Sequence, residues 1–314
     1  MKNPLVTVLL PVYNNESINL CIDSVLKQTF TDYELLIIDN ASTDNTINVI
    51  KSYDDARIKL VVNKENIGPT GSLNKGVSLA KGKYIARIDA DDLMLPERLE
   101  KQVDFMENNP DYGIVGSWTK HIDESDNLSQ TNKLCVTDKA IRAYMMIQSP
   151  FYHPAVMMRS EVLKDNELNY DLNIKVAVEY KLWNEILKYS KGSNLPEVLT
   201  YYRVSSNSLS HANAKTRVKE YLNVRKYICE EHREELVLKS LQIEEKQNKN
   251  LLDCFKIFNL LTNYLNKKLS MDDQDYASLK SCIYSRVYET CAFENNNIFS
   301  KLIKKVLELY KKDE

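Results

Sequence analysis

Residues 83–92 read KYIARIDADD, an apolar run that ends in three carboxylates within four positions. Similar runs flank it: VTVLL (6–10), YELLIID (33–39) and RIKLVV (57–62) before it, and YGIVGSW (112–118) after it. They are mostly apolar on both faces, as strands covered on two sides must be. Between the first two, Ile18, Cys21, Ile22, Val25 and Leu26 recur at the spacing of one helical stripe. Ser42 is placed to cap a second helix bearing Ile47, Ile50 and Tyr53. Pro96 is placed to open another bearing Leu99, Val103 and Met106. Strand and helix therefore alternate, which predicts an α/β fold with a mostly parallel sheet and helices on both faces.

In such a sheet, ligands collect at the carboxyl ends of the strands. Those ends are Pro11-Val12-Tyr13-Asn14, Asp39-Asn40-Ala41-Ser42, residues 63–68 and Asp89-Ala90-Asp91-Asp92. In an extended chain Asp89 and Asp91 point the same way, about 7 Å apart, and Asp92 can turn in with the following loop. Oxygens facing one space suit a hard cation such as Mg²⁺ or Mn²⁺, which keeps positions open for water and a diphosphate. The plain alternative is a solvated acidic turn ahead of the Pro96 helix.

The 314 residues carry 42 Lys plus Arg against 44 Asp plus Glu, a formal charge of −2, so no basic field exists to hold nucleic acid. Neither G-x-G-x-x-G nor G-x-x-x-x-G-K-[ST] occurs, which argues against a dinucleotide dehydrogenase or a P-loop nucleotidase. The six cysteines (Cys21, Cys135, Cys229, Cys254, Cys282, Cys291) form no C-x-x-C pair and read as buried or free thiols of a reducing compartment. Pro11 breaks the apolar run after Lys2, no small-residue cleavage site follows, and no run approaches the roughly 18 apolar residues that span a bilayer. The expected location is the cytoplasm.

Past residue 120 the alternation stops. HIDESDNLSQTNK (121–133) reads as loop, and residues 176–189 as a helix with Tyr180, Trp183, Ile186 and Leu187 at helical spacing. From Lys215 onward the chain has no Gly or Pro and reads as helix. The expected division is 1–214, with halves 1–119 and 120–214, followed by a helical region 215–314.

The segments VTVLLPVYNNE, SVLKQTFTDYELLIIDNASTD, NIGPTGSLNKG, ARIDADD and LPERLEKQ, in that order over residues 5–119, resemble the nucleotide-sugar half of family 2 inverting glycosyltransferases, which have the GT-A fold. The resemblance implies a UDP-sugar donor, with Pro11, Tyr13 and Asp39 holding the uracil and Asp39 accepting from the ring N3–H. It places Glu16 and Asn66 along the same pocket, Asp89 near the ribose, and Asp91, aided by Asp92, on the metal. Two positions depart from the pattern: Asn40 stands where an acid usually follows Asp39, and Leu73 where an Arg often precedes the Asn of the glycine-containing segment.

Sugar transfer leaves negative charge on UDP, which a divalent cation neutralises without proton transfer. A carboxylate must also take the proton of the acceptor hydroxyl from the opposite face. The family places that base in an acidic pair ahead of an aromatic and a Leu-Trp. VAVEYKLW (176–183) resembles that segment, with Val178 for the first acid and Glu179 for the usual Asp. The extra methylene moves the carboxylate about 1 Å, and such a misplacement can cost on the order of 100-fold. Asp123 and Glu124 stand next in line as bases.

FYHPAVMMR (151–159) resembles the segment beneath the acceptor, which puts His153 and Trp183 near the donor sugar or acceptor. Tyr201-Tyr202-Arg203-Val204 resembles the loop that closes over the diphosphate, with Arg203 either on phosphate or in a structural ion pair. Many relatives have a His soon after that Arg. Ser205 is found here, and His211 is the nearest candidate metal ligand.

The expected protein is a metal-dependent inverting glycosyltransferase that moves a hexose or N-acetylhexosamine from UDP to a lipid-linked glycan such as an O-antigen or capsule repeat unit. The alternative from another class is a non-catalytic UDP-sugar-binding subunit of a glycan-assembly complex, which Glu179 and the missing His would suit. A nucleotidyltransferase lacks support, because no glycine-rich phosphate loop follows the first run. FSKLIKKVLELYKK (299–312) reads as an amphipathic helix with Phe299, Ile303, Val306 and Tyr310 on one face among lysines. It would either pack on the core or lie peripherally on an anionic membrane.

Overall fold

β1 (Val6–Val12), α1 (Ile18–Leu26), β2 (Tyr33–Asp39), α2 (Thr46–Lys51), β3 (Ile58–Val62), α3 (Gly68–Leu79) and β4 (Tyr84–Arg87) follow the alternation expected from the apolar runs. The computed structural model describes residues 3–175, 177–204, 214–231, 262–263, 266 and 269–282. The four strands pair in parallel in the order β3-β2-β1-β4. Successive side chains of β1 enter opposite cores: Leu9 shares one with Leu73 and Val77 of α3, while Val8 and Leu10 share the other with Ile18, Ile22 and Val25 of α1. Gly76 lets α3 lie close on β1, since a Cβ there would sit 2.2 Å from Leu9 Cδ1.

Pro11 is tolerated inside β1 for a local reason. Leu9 O accepts from Ile88 N, so the main chain two residues on faces the same side, and the β1–β4 pairing has already ended at Leu9–Arg87. The missing proline N–H therefore removes no ladder bond.

The chain continues through β5 (Leu93–Met94), α4 (Arg98–Asn108), β6 (Tyr112–Ile122), β7 (Leu128–Asn132) and α5 (Asp138–Met145). A short 3₁₀ turn (His153–Ala155), β8 (Met157–Arg159), α6 (Ser160–Asp165), α7 (Val178–Tyr189), β9 (Lys191–Arg203) and α8 (Ala214–Glu231) follow, and residues 273–282 are also helical. Here the sheet is mixed. β8 lies antiparallel between β4 and β6, β9 runs parallel to β6, and β5 and β7 attach antiparallel to β9 and β6. The parallel wiring thus holds for the first half, and the second half adds strands of both senses.

Two local expectations are corrected. Residues 121–133 are a hairpin rather than a loop: β6 runs to Ile122 and returns as β7 through a turn in which Asp123 Oδ1 accepts from Ser125 N and Asn127 N. Polar residues suffice there, because β7 pairs on one side only and is largely exposed. Ser42 caps no helix. α2 begins at Thr46, and Ser42 instead donates its N–H to Asp39 Oδ2 and accepts from Asn14 N.

Arg98 opens α4 fully buried and acts as a staple. Its Nη2 donates to Arg87 O at 2.8 Å and Val156 O at 3.1 Å, and its Nη1 to Pro154 O at 2.6 Å and Thr200 Oγ1 at 3.2 Å. Gln102, one turn on, accepts from Arg98 Nε and donates to Ala155 O. Arg98→Met fills the volume but strands several buried acceptors, each costing about 1–3 kcal/mol. The expected loss is about 3 kcal/mol in denaturant unfolding, and a loss below about 1 kcal/mol would show that those acceptors find other donors.

α7 buries Tyr180, Trp183, Ile186 and Leu187, and Val224, Ile228 and Cys229 of α8 join the same core. α8 starts where the helical C-terminal region was expected. Cys21, Cys135, Cys229 and Cys282 are free and buried. Among the described residues no helix is long and apolar enough to cross a membrane. The amphipathic stretch 299–312 lies outside the described residues, as do Cys254 and Cys291.

Candidate active site

The loops after β1 and β2 are tied together. Asn14, at φ +48°, accepts from Thr43 N on its Oδ1 and donates its own N–H to Ser42 Oγ. Asn15 N donates to Thr46 Oγ1, and Glu16 Oε1 accepts from Asn45 N at 3.2 Å. Pro11 is half-buried and Tyr13 is exposed at the mouth of these loops. Glu16 thus spends one oxygen on the neighbouring loop. Asp39 is fully buried, and while its Oδ2 accepts from Ser42 N, its Oδ1 has no partner.

Asn40, where an acid was expected, organises the next loop. Its Nδ2 donates to Asn66 Oδ1, and its Oδ1 accepts from Asn63 Nδ2 and Ile67 N. A carboxylate could accept but not donate, so the amide suits a neighbour that is itself an acceptor. Asn66 Oδ1 also takes Gly68 N, which fixes it at the start of α3. Further along α3, Asn74 exchanges two 2.9 Å hydrogen bonds with the Tyr170 main chain, 96 positions away.

β4 ends at Arg87, and residues 90–91 form a turn closed by Asp92 N donating to Asp89 O. The extended alternation expected for Asp89 and Asp91 is therefore absent. Asp91 is exposed, whereas Asp92 points inward and is fully buried. Asp89 Oδ1 accepts from the buried Arg87 Nη2 at 2.6 Å. Asp92 Oδ1 accepts from Arg203 N at 2.7 Å, and its Oδ2 has no partner. Desolvation first, then the Asp91 and Asp89 charges, raise the Asp92 carboxyl well above the ordinary range. Although Asp91 as a residue is exposed, crowding of its carboxyl by surrounding protein atoms, then the Asp89 charge, push it up to about 6.

Arg203 is a strap. Its Nε donates to Asp91 O, Nη1 to Asp123 O, and Nη2 to Asp126 Oδ1 at 2.6 Å, so the β6–β7 turn is held over the aspartate turn. The ion pair with Asp126 is present, alongside the two main-chain contacts. Asp123 is itself spent on the turn, and its carboxyl is lowered by hydrogen bonds from Asn127. Tyr202 beside Arg203 joins a ring cluster with Tyr152 at 5.4 Å and His121 at 5.5 Å.

Glu179, in the first turn of α7, is buried. Desolvation raises its carboxyl, with Asp89 adding to the rise and Arg87 opposing it. Tyr221 of α8 donates its hydroxyl to Glu179 Oε1 at 2.6 Å. Trp183, one turn on, is fully buried with its ring 5.7 Å from His153 and 6.0 Å from Phe151; its Nε1 has no partner. His153 Nε2 lies 2.9 Å from Tyr170 Oη. Burial, then the Arg87 charge, lower its pKa far enough to leave the ring neutral at pH 7.

The fold therefore brings Asp39, Asp89, Asp91, Asp92 and Arg203 to the carboxyl ends of the strands, while His153 packs between Tyr170 and Trp183, Glu179 lies one turn before Trp183, and the Arg87 charge reaches both His153 and Glu179. His211 lies outside the described residues, and among those described no group of three His, Cys, Asp or Glu side chains is placed for a metal ion. Sequence reading named neither Arg87, Tyr170 nor Tyr221. Only Arg87 carried a local signal, as a charge in an apolar run.

Comparison with known proteins gives the same direction. A glucosyltransferase of Escherichia coli, WfgD, described as UDP-Glc:alpha-D-GlcNAc-diphosphoundecaprenol beta-1,3-glucosyltransferase, is 31% identical over 213 residues, covering 67% of this chain and 81% of its own. S. aureus TarS 1-349 in complex with UDP-GlcNAc superposes with a TM-score of 0.61 at 18% identity, over 90% of this chain and 83% of that one. A mannosyltransferase from Pyrobaculum calidifontis in complex with GDP-Man and Mn²⁺ gives 0.56 at 17% identity, over 98% and 81%. Residues 7–166 match the family described as Glycosyl transferase family 2, and the chain belongs to that family of glycosyltransferases.

Proposed function

We propose that the chain moves a hexose or N-acetylhexosamine from a UDP-sugar to a lipid-linked glycan, by a single displacement with inversion, at the cytoplasmic face of a membrane. The observation that carries this reading is the pair of buried, unpartnered acidic oxygens at the strand ends, Asp39 Oδ1 and Asp92 Oδ2, with a buried carboxylate, Glu179, at the start of α7. The names of the E. coli relative and of the TarS complex support the uridine nucleotide, and that of the relative supports a lipid-diphosphate acceptor.

Asp39 Oδ1, buried and unpaired, is an acceptor for a uracil N3–H, and exposed Tyr13 offers a ring to the base. The residues also fit a divalent cation. Asp92 Oδ2 has no protein partner, and the carboxyls of Asp91 and Asp92 are raised by desolvation and then by the neighbouring aspartate charges, which a bound cation would offset. Asp91 and Asp92 would hold such an ion, which when bound neutralises charge on the departing diphosphate. Glu179 accepts the proton of the attacking hydroxyl as the new glycosidic bond forms and the anomeric bond to UDP breaks. The half-buried rings of His121, Tyr152 and Tyr202 provide an apolar face for an acceptor sugar.

The test is UDP release from purified protein with Mn²⁺, UDP- or GDP-sugars, and lipid-linked glycans. Release that requires both a UDP-sugar and a lipid-linked acceptor is expected. Preference for GDP-sugars, or equal release without acceptor, would overturn the donor or acceptor assignment.

A further inference from the structure

The hydroxyl that meets Glu179 comes from outside the sheet. Tyr221 lies within α8, and its ring also packs on Tyr180, the neighbour of Glu179, at 5.7 Å between centroids. α8 is fixed on both sides of this contact. Glu220 Oε2 accepts from Lys175 N, Arg225 Nη1 donates to Ile147 O, and Glu231 meets Asn184 and Lys188 of α7. Val224 and Ile228 are buried in the core shared with Trp183. The hydroxyl position is therefore set by packing rather than by a free side chain.

We propose that Tyr221 is the positioning residue for Glu179, so that the helix after the transferase sheet completes the base. The proposal rests on Glu179 being that base. A glutamate has one more rotatable bond than an aspartate, and a carboxylate left to wander by about 1 Å loses on the order of 100-fold in rate. Tyr221 pins Oε1, and in the proposal Oε2 is the oxygen that meets the acceptor hydroxyl. A hydrogen bond donated to a carboxylate also favours its charged, proton-accepting form. It acts with a hydrogen bond from the Glu179 main chain and with Arg87, and against burial and the charge of Asp89; the Tyr170 hydroxyl also senses Glu179.

The experiment is Tyr221→Phe in the full chain, assayed with UDP-sugar and acceptor. The expected result is a fall in kcat of about tenfold, within the loss that carboxylate misplacement allows. UDP affinity and the KM for the donor stay unchanged, and the acidic limb of the kcat profile moves to higher pH. The second arm repeats the change in a Glu179→Asp background. There the shortened carboxylate no longer reaches the hydroxyl, so Tyr221→Phe should cost less than about twofold. An unchanged kcat and acidic limb in Tyr221→Phe, with Glu179→Gln inactive, overturns the proposal while leaving Glu179 as base. Equal losses in both backgrounds also overturn it, since they describe a helix that merely supports the fold. Retained transfer by Glu179→Gln removes the base assignment itself.

Discussion

Glu179→Gln is expected to lower acceptor-dependent transfer by about 10²–10⁴-fold, the range contributed by a positioned general base, with UDP affinity unchanged. The amide keeps the size of the side chain and still accepts from Tyr221, so the buried contact survives while the proton acceptor is lost. The wild-type pH profile should carry the same signature. Burial raises the Glu179 carboxyl above the ordinary glutamate value, and only its deprotonated form takes a proton. Activity therefore falls as pH drops through that raised pKa, earlier than for an exposed glutamate near about 4.3. The residual activity of the Gln variant should keep only the part of the acidic limb that belongs to Asp91 and Asp92. Retained transfer would move the base elsewhere, and Asp123 is a poor substitute because its carboxylate already closes a turn.

The second large effect is expected for Asp91→Asn, which should abolish the tightening of UDP binding by Mn²⁺. Loss of even an outer-shell partner weakens metal binding about 10–100-fold, and exchange of a ligating carboxylate for an amide should cost at least as much. Calorimetric titration of UDP with and without Mn²⁺ reads this directly. Tightening that persists in the variant would place the cation away from the aspartate turn.

The first four strands were legible because their signals are local: apolar runs of strand length, a helical stripe between them, and polar residues at each strand end. The hairpin at 121–133 was not, because a strand exposed at the sheet's edge needs no alternation and its turn chemistry imitates a loop. Asp92 turns in with the loop as expected, but the alternation expected of Asp89 and Asp91 is absent, since the strand stops at Arg87 and a turn, rather than a pleat, decides which carboxylate faces in. Arg203 was half legible. Its charge suggested either a phosphate or an ion pair, and the main-chain oxygens and Asp126 that it meets lie on segments the sequence does not bring near. Tyr170 and Tyr221 meet His153 and Glu179 across 17 and 42 positions, and no periodicity encodes such contacts.

The paired amide bonds between Asn74 and Tyr170 give the molecule a rivet. They join the helix behind the nucleotide loops to the segment carrying the His153 partner, and both must break together for those two pieces to part. Because both bonds use main-chain atoms of Tyr170, this spacing is kept whatever side chain stands at position 170.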